Sequence, residues 1–272
     1  MSEAASPEEA ARRGAMRRFA MLATRSAADV PLAEAALLAS ACLSLEADVA
    51  AGLAEIDRLA GGVEPTLAAV RHRLFSEAGF RGDVADYDHP DNSLLDRVLA
   101  RRRGMPITLT IVLVEVAARA GLPMVPVGMP GHVLARLRDD SERFVDAFSG
   151  GVELDPAACE RVYRTIHGDD APFDTAFLRP STHHEILRRV LANLTRSLQV
   201  RHRPDEALVA MRLQTLVPGS GAAARHALGV ALARRGRFDQ AADELEATAA
   251  GVDDDLARRL RHEAAHYRAR LN

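Results

Sequence analysis

Residues 104–123 read GMPITLTIVLVEVAARAGLP. Pro106 suits the first turn of a helix, where a missing backbone N–H removes no hydrogen bond. The stretch after it, ITLTIVLVEVAARA, is apolar on every face for two turns, and a helix of that kind is expected at the centre of a core. Upstream lies a second helical segment, SLLDRVLARRRG, with Asn92 or Ser93 as its cap and Gly104 as its stop. Residues 81–91 before it are turn-rich. Downstream, MVPVG, HVLARL and RFVDAF read as strands separated or followed by the turn signals DDSE and SGG, and ARL-RDDSE-RFV reads as a hairpin. LDPAACERVYRTIHG then reads as a helix capped by Asp155 with Pro156 at its first position.

On the N-terminal side, residues 1–13 are small and polar and are expected to fray. From Ala15 to Ala60 apolar residues recur at helical spacing, with Pro31 suited to a helix start and Gly61-Gly62 to a stop. Pro65 can open a further helix that ends near Gly79. On the C-terminal side the pattern beyond Arg179-Pro180 is helical throughout. Leu194, Leu198, Arg201, Arg203, Asp205 and Ala207 recur 34 residues later as Leu228, Leu232, Arg235, Arg237, Asp239 and Ala241. That is the tetratricopeptide period, in which helix–turn–helix units stack on one another. Two units rarely stand alone, so they are expected to dock on the preceding domain.

Composition narrows the chemistry. Hydrophobic residues make up 48% and charged residues 27% of 272 positions, with a net charge of −3, so no global charge favours nucleic acid or an anionic membrane. All 35 basic residues are arginine, which removes Schiff-base and Ser-Lys chemistry. Cys42 and Cys159 have no metal-type spacing and read as buried small apolar residues. The first 20 residues lack a continuous apolar core, so no signal peptide is expected, and no run is long enough to span a membrane. The expected location is the cytoplasm. With no Trp and few aromatic residues, a base-stacking surface is not expected.

A helix N-terminus, then a strand bearing His132 after Pro130-Gly131, then a strand bearing Asp146 is the chain order of a thiolate–His–Asp arrangement. The helix dipole would lower the thiol pKa, the His would hold the proton and the Asp would orient the His. These residues carry a resemblance. Gly79-Phe80, Tyr87, Asn92-Ser93-Leu94, Arg103 to Leu109, Gly121-Leu122-Pro123, Pro130-Gly131-His132 and Asp146-Ala147-Phe148 together resemble the transglutaminase-like superfamily, in its bacterial SirB-type branch. That branch joins a transglutaminase-like core to tetratricopeptide repeats. The resemblance implies an α+β fold: a papain/transglutaminase-like core with a small antiparallel sheet, followed by an all-α tetratricopeptide-like helical domain. The corresponding boundaries are residues 1–78 for an N-terminal helical part of the core domain, 79–180 for the core and 181–272 for the repeats.

Active members of the superfamily open the helix with Gly-x-Cys and follow it with Gly-(Ile/Leu)-Pro. Registering on Gly121-Leu122-Pro123 puts Pro106 in the place of that Cys. Proline supplies neither a nucleophile nor a backbone N–H for an oxyanion. The resemblance therefore implies a vestigial triad of Pro106, His132 and Asp146. It points away from an enzyme, toward a regulatory or scaffolding protein that binds protein or peptide through its repeats and its core cleft, without a cofactor. His132 also reads as a structural core histidine bonded to Asp146, and Asp146 as the cap of the turn at Ser149-Gly150-Gly151. The alternative is a residual hydrolase or acyltransferase that uses His132 and Asp146 with a nucleophile such as Thr108, or with bound water; Thr110 lies further up the same helix.

One further motif is a decoy. His262-Glu263-Ala264-Ala265-His266 matches the HExxH zinc pattern, but only six residues follow it, and the segment reads as an amphipathic, solvated helix. His183-His184 reads as a helix start and Arg101-Arg102-Arg103 as a solvated helix end.

Overall fold

The computed structural model describes residues 6–28 and 30–271. Its N-terminal part is helical: α1 (Pro7–Ala23), α2 (Leu32–Leu43), α3 (Val49–Ala60) and a short α4 (Leu67–Arg71) that runs on into a π-helical turn at His72–Glu77. Side chains of Ser6, Asp48 and Thr66 accept the first amide hydrogens of α1, α3 and α4. The expected frayed start, residues 1–13, is corrected in part. Residues 1–5 lie outside the described residues, but Pro7 onward is helix, because Ser6 caps it and Glu8 and Glu9 sit against the positive end of its dipole.

The middle of the chain departs from expectation at helix α5 (Leu95–Arg101). Neither Asn92 nor Ser93 caps it; Leu94 stands at the N-cap. Asn92 instead sits in a 3₁₀ turn, and its amide donates to the carbonyls of Asp86 (2.8 Å) and Tyr87 (3.3 Å). Nor does Gly104 end the helix. Arg102 does so, in the left-handed region at φ 58°. Its guanidinium is tied to Glu55 and lies 4.8 Å from the centre of the Phe80 ring, contacts that offset the strain of a non-glycine residue there. Gly104 is drawn into β2 (Arg103–Gly104), which pairs in parallel with β1 (Arg81–Gly82).

Helix α6 (Pro106–Arg119) is central, as its composition requires: eleven of its fourteen residues are buried. Against it packs a four-stranded antiparallel sheet in the order β3 (Met124–Val127), β4 (Leu134–Leu137), β5 (Phe144–Asp146), β6 (Val152–Leu154). β4 and β5 form the anticipated hairpin, with Ala135 opposite Val145. β6 was not legible: three residues long and mostly exposed, it shows no alternation. Helix α7 (Pro156–His167) follows, with the Asp155 carboxylate accepting from the Ala158 amide at 2.6 Å.

The remainder is all helix: α8 (His183–Val200), α9 (Pro204–Leu216), α10 (Gly221–Arg234), α11 (Phe238–Ala249) and α12 (Asp254–Ala269), each packed on the next. The 34-residue recurrence maps onto equivalent places. Leu194 and Leu198 of α8, and Leu228 and Leu232 of α10, are all buried. Arg203 and Arg237 both precede the first turn of the next helix. A Cβ on Gly229 would approach Leu245 to 2.9 Å, so α10 and α11 meet through a residue without a side chain. The principal core does not stop at this region: Ile186, Leu187, Val190, Leu191, Leu213 and Val217 join the cluster built on α2 and α6. Burial of such aliphatic side chains contributes on the order of 2 kcal/mol each.

Candidate functional site

The start of α6 is held by a clamp made from the turn-rich segment. The Met105 amide donates to the Asn92 carbonyl (3.3 Å), and so does the Thr108 hydroxyl (2.7 Å). The Asn92 side-chain oxygen accepts from Arg101, whose other nitrogen pairs with buried Asp83 at 2.8 Å. Asp83 in turn donates its amide to the Gly104 carbonyl. The effect is to fix Tyr87, Pro106 and the strand pair relative to one another. Thr108 is thereby accounted for: it is fully buried, its hydroxyl is directed at backbone carbonyls, and it does not line the cleft described next. Thr110, equally buried, donates to the Val133 carbonyl.

A cleft of about 740 Å³ opens at this helix start. Pro106 and Ile107 form one side. The loop Gly131–His132–Val133 before β4 and the end of β5 with Asp146, Phe148 and Ser149 form the floor. Val162, Thr165 and Ile166 of α7 and Arg189, Asn193 and Arg196 of α8 close the other sides, with Tyr87 at the edge. Pro106, His132 and Asp146, far apart in sequence, thus share one cavity.

Within it, Nε2 of His132 stands 3.0 Å from Oδ1 of Asp146. The distance is that of an ion pair, but the ring N–H is not aimed at the carboxylate, so no aligned hydrogen bond forms. Asp146 has other donors. Oδ1 accepts from the amides of Phe148 (3.0 Å) and Ser149 (3.3 Å), and Oδ2 from the Ser149 hydroxyl (2.8 Å). The carboxylate therefore both faces the imidazole and caps the turn after β5. Burial works against its charge, yet the imidazole and the Ser149 donors outweigh that and hold the Asp146 carboxyl below the usual carboxylate range. His132 is itself buried, its ring edge-on to Phe148 with centres 6.2 Å apart, and Phe148 packs edge-on to Tyr87 at 5.8 Å. Nδ1 of His132 has no hydrogen-bond partner among the described residues and is not sealed off, so it opens on the cleft.

The chemistry this arrangement can do is that of an oriented imidazole. A base that shares a cleft with a helix start is half of a covalent apparatus, but the first helical residue is Pro106. The two aliphatic hydroxyls in the cleft are engaged elsewhere: Ser149 with Asp146, and Thr165 with the Arg161 carbonyl at 2.9 Å. Cys42 and Cys159 are buried outside the cleft, and burial pushes each thiol up to about 12.

The remaining motif residues lie elsewhere. Glu263 of the HExxH match is bound by Nε2 of His226 (2.8 Å) and by the Tyr267 hydroxyl (2.8 Å), both on the helical region's own surfaces. His262 and His266 stand beside it on α12, and no group of three or more His, Cys, Asp or Glu placed to hold a metal occurs among the described residues. His183 bonds the Val30 carbonyl through Nδ1 at 2.7 Å, tying α8 to the segment before α2. Arg101 and Arg102 hold Asp83 and Glu55 rather than solvent. No helix among the described residues is long and apolar enough to cross a membrane.

Sequence reading passed over Arg189, Asn193 and Arg196. Their spacing, i, i+4 and i+7, puts them on one face of α8, and that signal was available. It was indistinguishable from a solvated stripe until the helix was seen to lie across the cleft. Arg189 donates from one nitrogen to the carbonyls of Met129 (3.1 Å) and His132 (3.0 Å), and so fixes the loop that carries the histidine.

The transglutaminase-like superfamily model matches residues 36–192, a span that includes the clamp, the dyad and Arg189. The chain is 38% identical over 185 residues to a UPF0162 protein of Xylella fastidiosa, covering 66% of each chain. It is 31% identical over 140 residues to a UPF0162 protein of Pseudomonas aeruginosa, covering 52% of this chain and 50% of that one. It is 26% identical over 194 residues to Protein SirB1 of Salmonella typhimurium, covering 66% of this chain and 71% of that one. The chain thus spans between half and two thirds of the length of these UPF0162 relatives. No solved structure matches it. By its family match and its relatives, the chain belongs to the transglutaminase-like superfamily, in the SirB-type branch.

Proposed function

We propose that this protein is a non-catalytic transglutaminase-like protein that acts by binding. Its core cleft and its tetratricopeptide-like helices take protein or peptide segments in a regulatory or scaffolding role. The observation that carries this reading is Pro106: it lines the same cleft as His132 and Asp146, at the first position of α6. A thiol at that position would share the cleft with the imidazole and have the helix dipole behind it. Proline offers no atom to attack a carbonyl and no amide to stabilise the oxyanion that would follow. The second reading, a hydrolase that activates water on His132, is favoured by the open Nδ1. It has no side-chain nucleophile at the helix start, and general-base action alone is worth only about 10²- to 10⁴-fold.

Substituting Pro106→Cys tests the assignment. The new thiol should be alkylated by iodoacetamide faster than an ordinary cysteine below pH 8, and His132→Ala in the same chain should slow it. The unaltered protein should release no ammonia from glutamine peptides and no alcohol from activated esters. Turnover by the unaltered protein that is lost in His132→Ala would reverse the ranking in favour of the hydrolase.

A further inference from the structure

Away from the cleft, helix α1 carries a face that nothing covers. Phe19, Leu22 and Ala23 turn one side of α1 into the core. Ala11, Gly14, Ala15, Arg18 and Met21 recur at three- and four-residue spacing on another side, where they line a groove of about 860 Å³. The facing wall is α2, through Leu38, Ala41 and Leu45, with the start of α3 at Val49. The groove is open at its small residues: a Cβ on Gly14 would meet nothing within 4 Å. Met21 is 68% exposed and Leu45 44%, so two large apolar side chains are left to water in one concave place.

The rim of this groove carries charge of one sign. Arg13 and Arg17 stand one turn apart on α1, and Arg17 is in the lining. Neither has a carboxylate within ion-pair distance among the described residues, although Glu8 and Glu9 lie on the same helix. Like charges at i, i+4 repel and detract from the helix that bears them, so the pair does nothing for the fold. The acidic groups by the far wall are engaged: Asp48 accepts the amides of Ala50 and Ala51, and Glu46 pairs with Arg97 at 2.7 Å. An apolar floor beside uncompensated arginines fits an amphipathic helix with an apolar stripe and carboxylates along its flank. A two-fold contact between two copies through this face would set the arginines against one another, because such a contact pairs a patch with itself. A lipid surface would meet the arginines but not the floor between two helices.

We infer that the groove between α1, α2 and α3 docks an acidic amphipathic helix of a partner protein, its apolar stripe on Met21 and Leu45 and its carboxylates on Arg13 and Arg17. This surface is separate from the cleft of His132 and Asp146 and from the tetratricopeptide-like helices, and α1 precedes the residues that match the family model. It therefore stands or falls apart from the binding role proposed above.

The test uses the full-length protein and three labelled helical peptides, read by anisotropy. The first has a leucine stripe flanked by glutamates, the second the same stripe flanked by lysines, and the third the glutamates with alanine in place of leucine. The first should bind about tenfold more tightly than the second, as two exposed ion pairs allow, and about tenfold more tightly than the third, which has less apolar area to bury. Raising salt from about 20 to 300 mM should weaken it. Arg13→Glu together with Arg17→Glu should reverse the order of the first two peptides. Met21→Ser together with Leu45→Ser should weaken the first about tenfold and keep the preference for glutamate. All four positions are exposed, and should one pair of substitutions fail to fold by circular dichroism, the other carries the test. Absence of binding, equal affinity for the glutamate and lysine peptides, or a third peptide as tight as the first would each overturn the inference. Two further results would overturn it by naming another occupant. One is stronger binding to phosphatidylglycerol vesicles that is lost on arginine reversal, and the other is self-association in sedimentation that is lost in the same variant.

Discussion

Asp146 is the residue on which both the cleft and the turn after β5 depend, and its removal has a magnitude that can be worked out in advance. The side chain is 3% exposed and accepts the amides of Phe148 and Ser149 and the Ser149 hydroxyl. In Asp146→Ala these donors lose a charged acceptor in a water-poor place. Two such backbone bonds at roughly 1.5 kcal/mol each give a loss of about 3 kcal/mol. Asp146→Asn keeps one acceptor oxygen and should cost about 1.5 kcal/mol, the part that depends on charge. Urea unfolding followed by circular dichroism is the assay, since the chain contains no Trp to report by fluorescence. The pH dependence has a definite sign. The carboxyl is held below its usual range in the folded state, so its stabilisation is present above the unfolded value of about 3.9 and disappears as pH falls through the folded value. The gap between the natural protein and Asp146→Asn should therefore close below about pH 4. A cost under about 0.5 kcal/mol for Asp146→Ala, or a gap that widens in acid, would refute the reasoning.

Two other outcomes follow from burial and close approach. Cys42 and Cys159 are 1% and 0% exposed with thiols pushed up to about 12, so neither should react with Ellman's reagent at pH 8 in the native protein, and both should react in urea. Prompt reaction of either in native buffer would contradict the burial, and it would also compromise the Pro106→Cys labelling. Gly82→Ala would put a Cβ within 2.6 Å of the Phe148 ring, displacing a ring that touches both His132 and Tyr87. The expected loss is about 1–3 kcal/mol in urea unfolding, and a change within error would mean that the ring moves freely.

What was legible in the amino-acid order was local or periodic. The apolar belt after Pro106 marked α6 as central, because a helix with no polar face has nowhere else to go. Asp155-Pro156 announced α7, and ARL-RDDSE-RFV announced the β4–β5 hairpin. The 34-residue recurrence placed buried leucines two helices apart. His132 and Asp146 stood out by their order after the helix start, Pro106 was singled out only through the family resemblance, and the structure puts all three in the lining of one cleft. Boundaries set by distant contacts could not be read. Arg102, rather than Gly104, ends α5 because Glu55 and Phe80, from earlier in the chain, hold it in the left-handed conformation. Asn92 is a clamp rather than a cap because the start of α6 folds back onto its carbonyl. The hydroxyl of Thr108, adjacent to the helix start in sequence, is turned into the interior by that same clamp. Only tertiary packing brings α8 into the lining of the cleft and turns an arginine on an ordinary polar stripe into the group that holds the Met129 and His132 carbonyls, since a side chain's distant partners are decided by what the fold brings beside it.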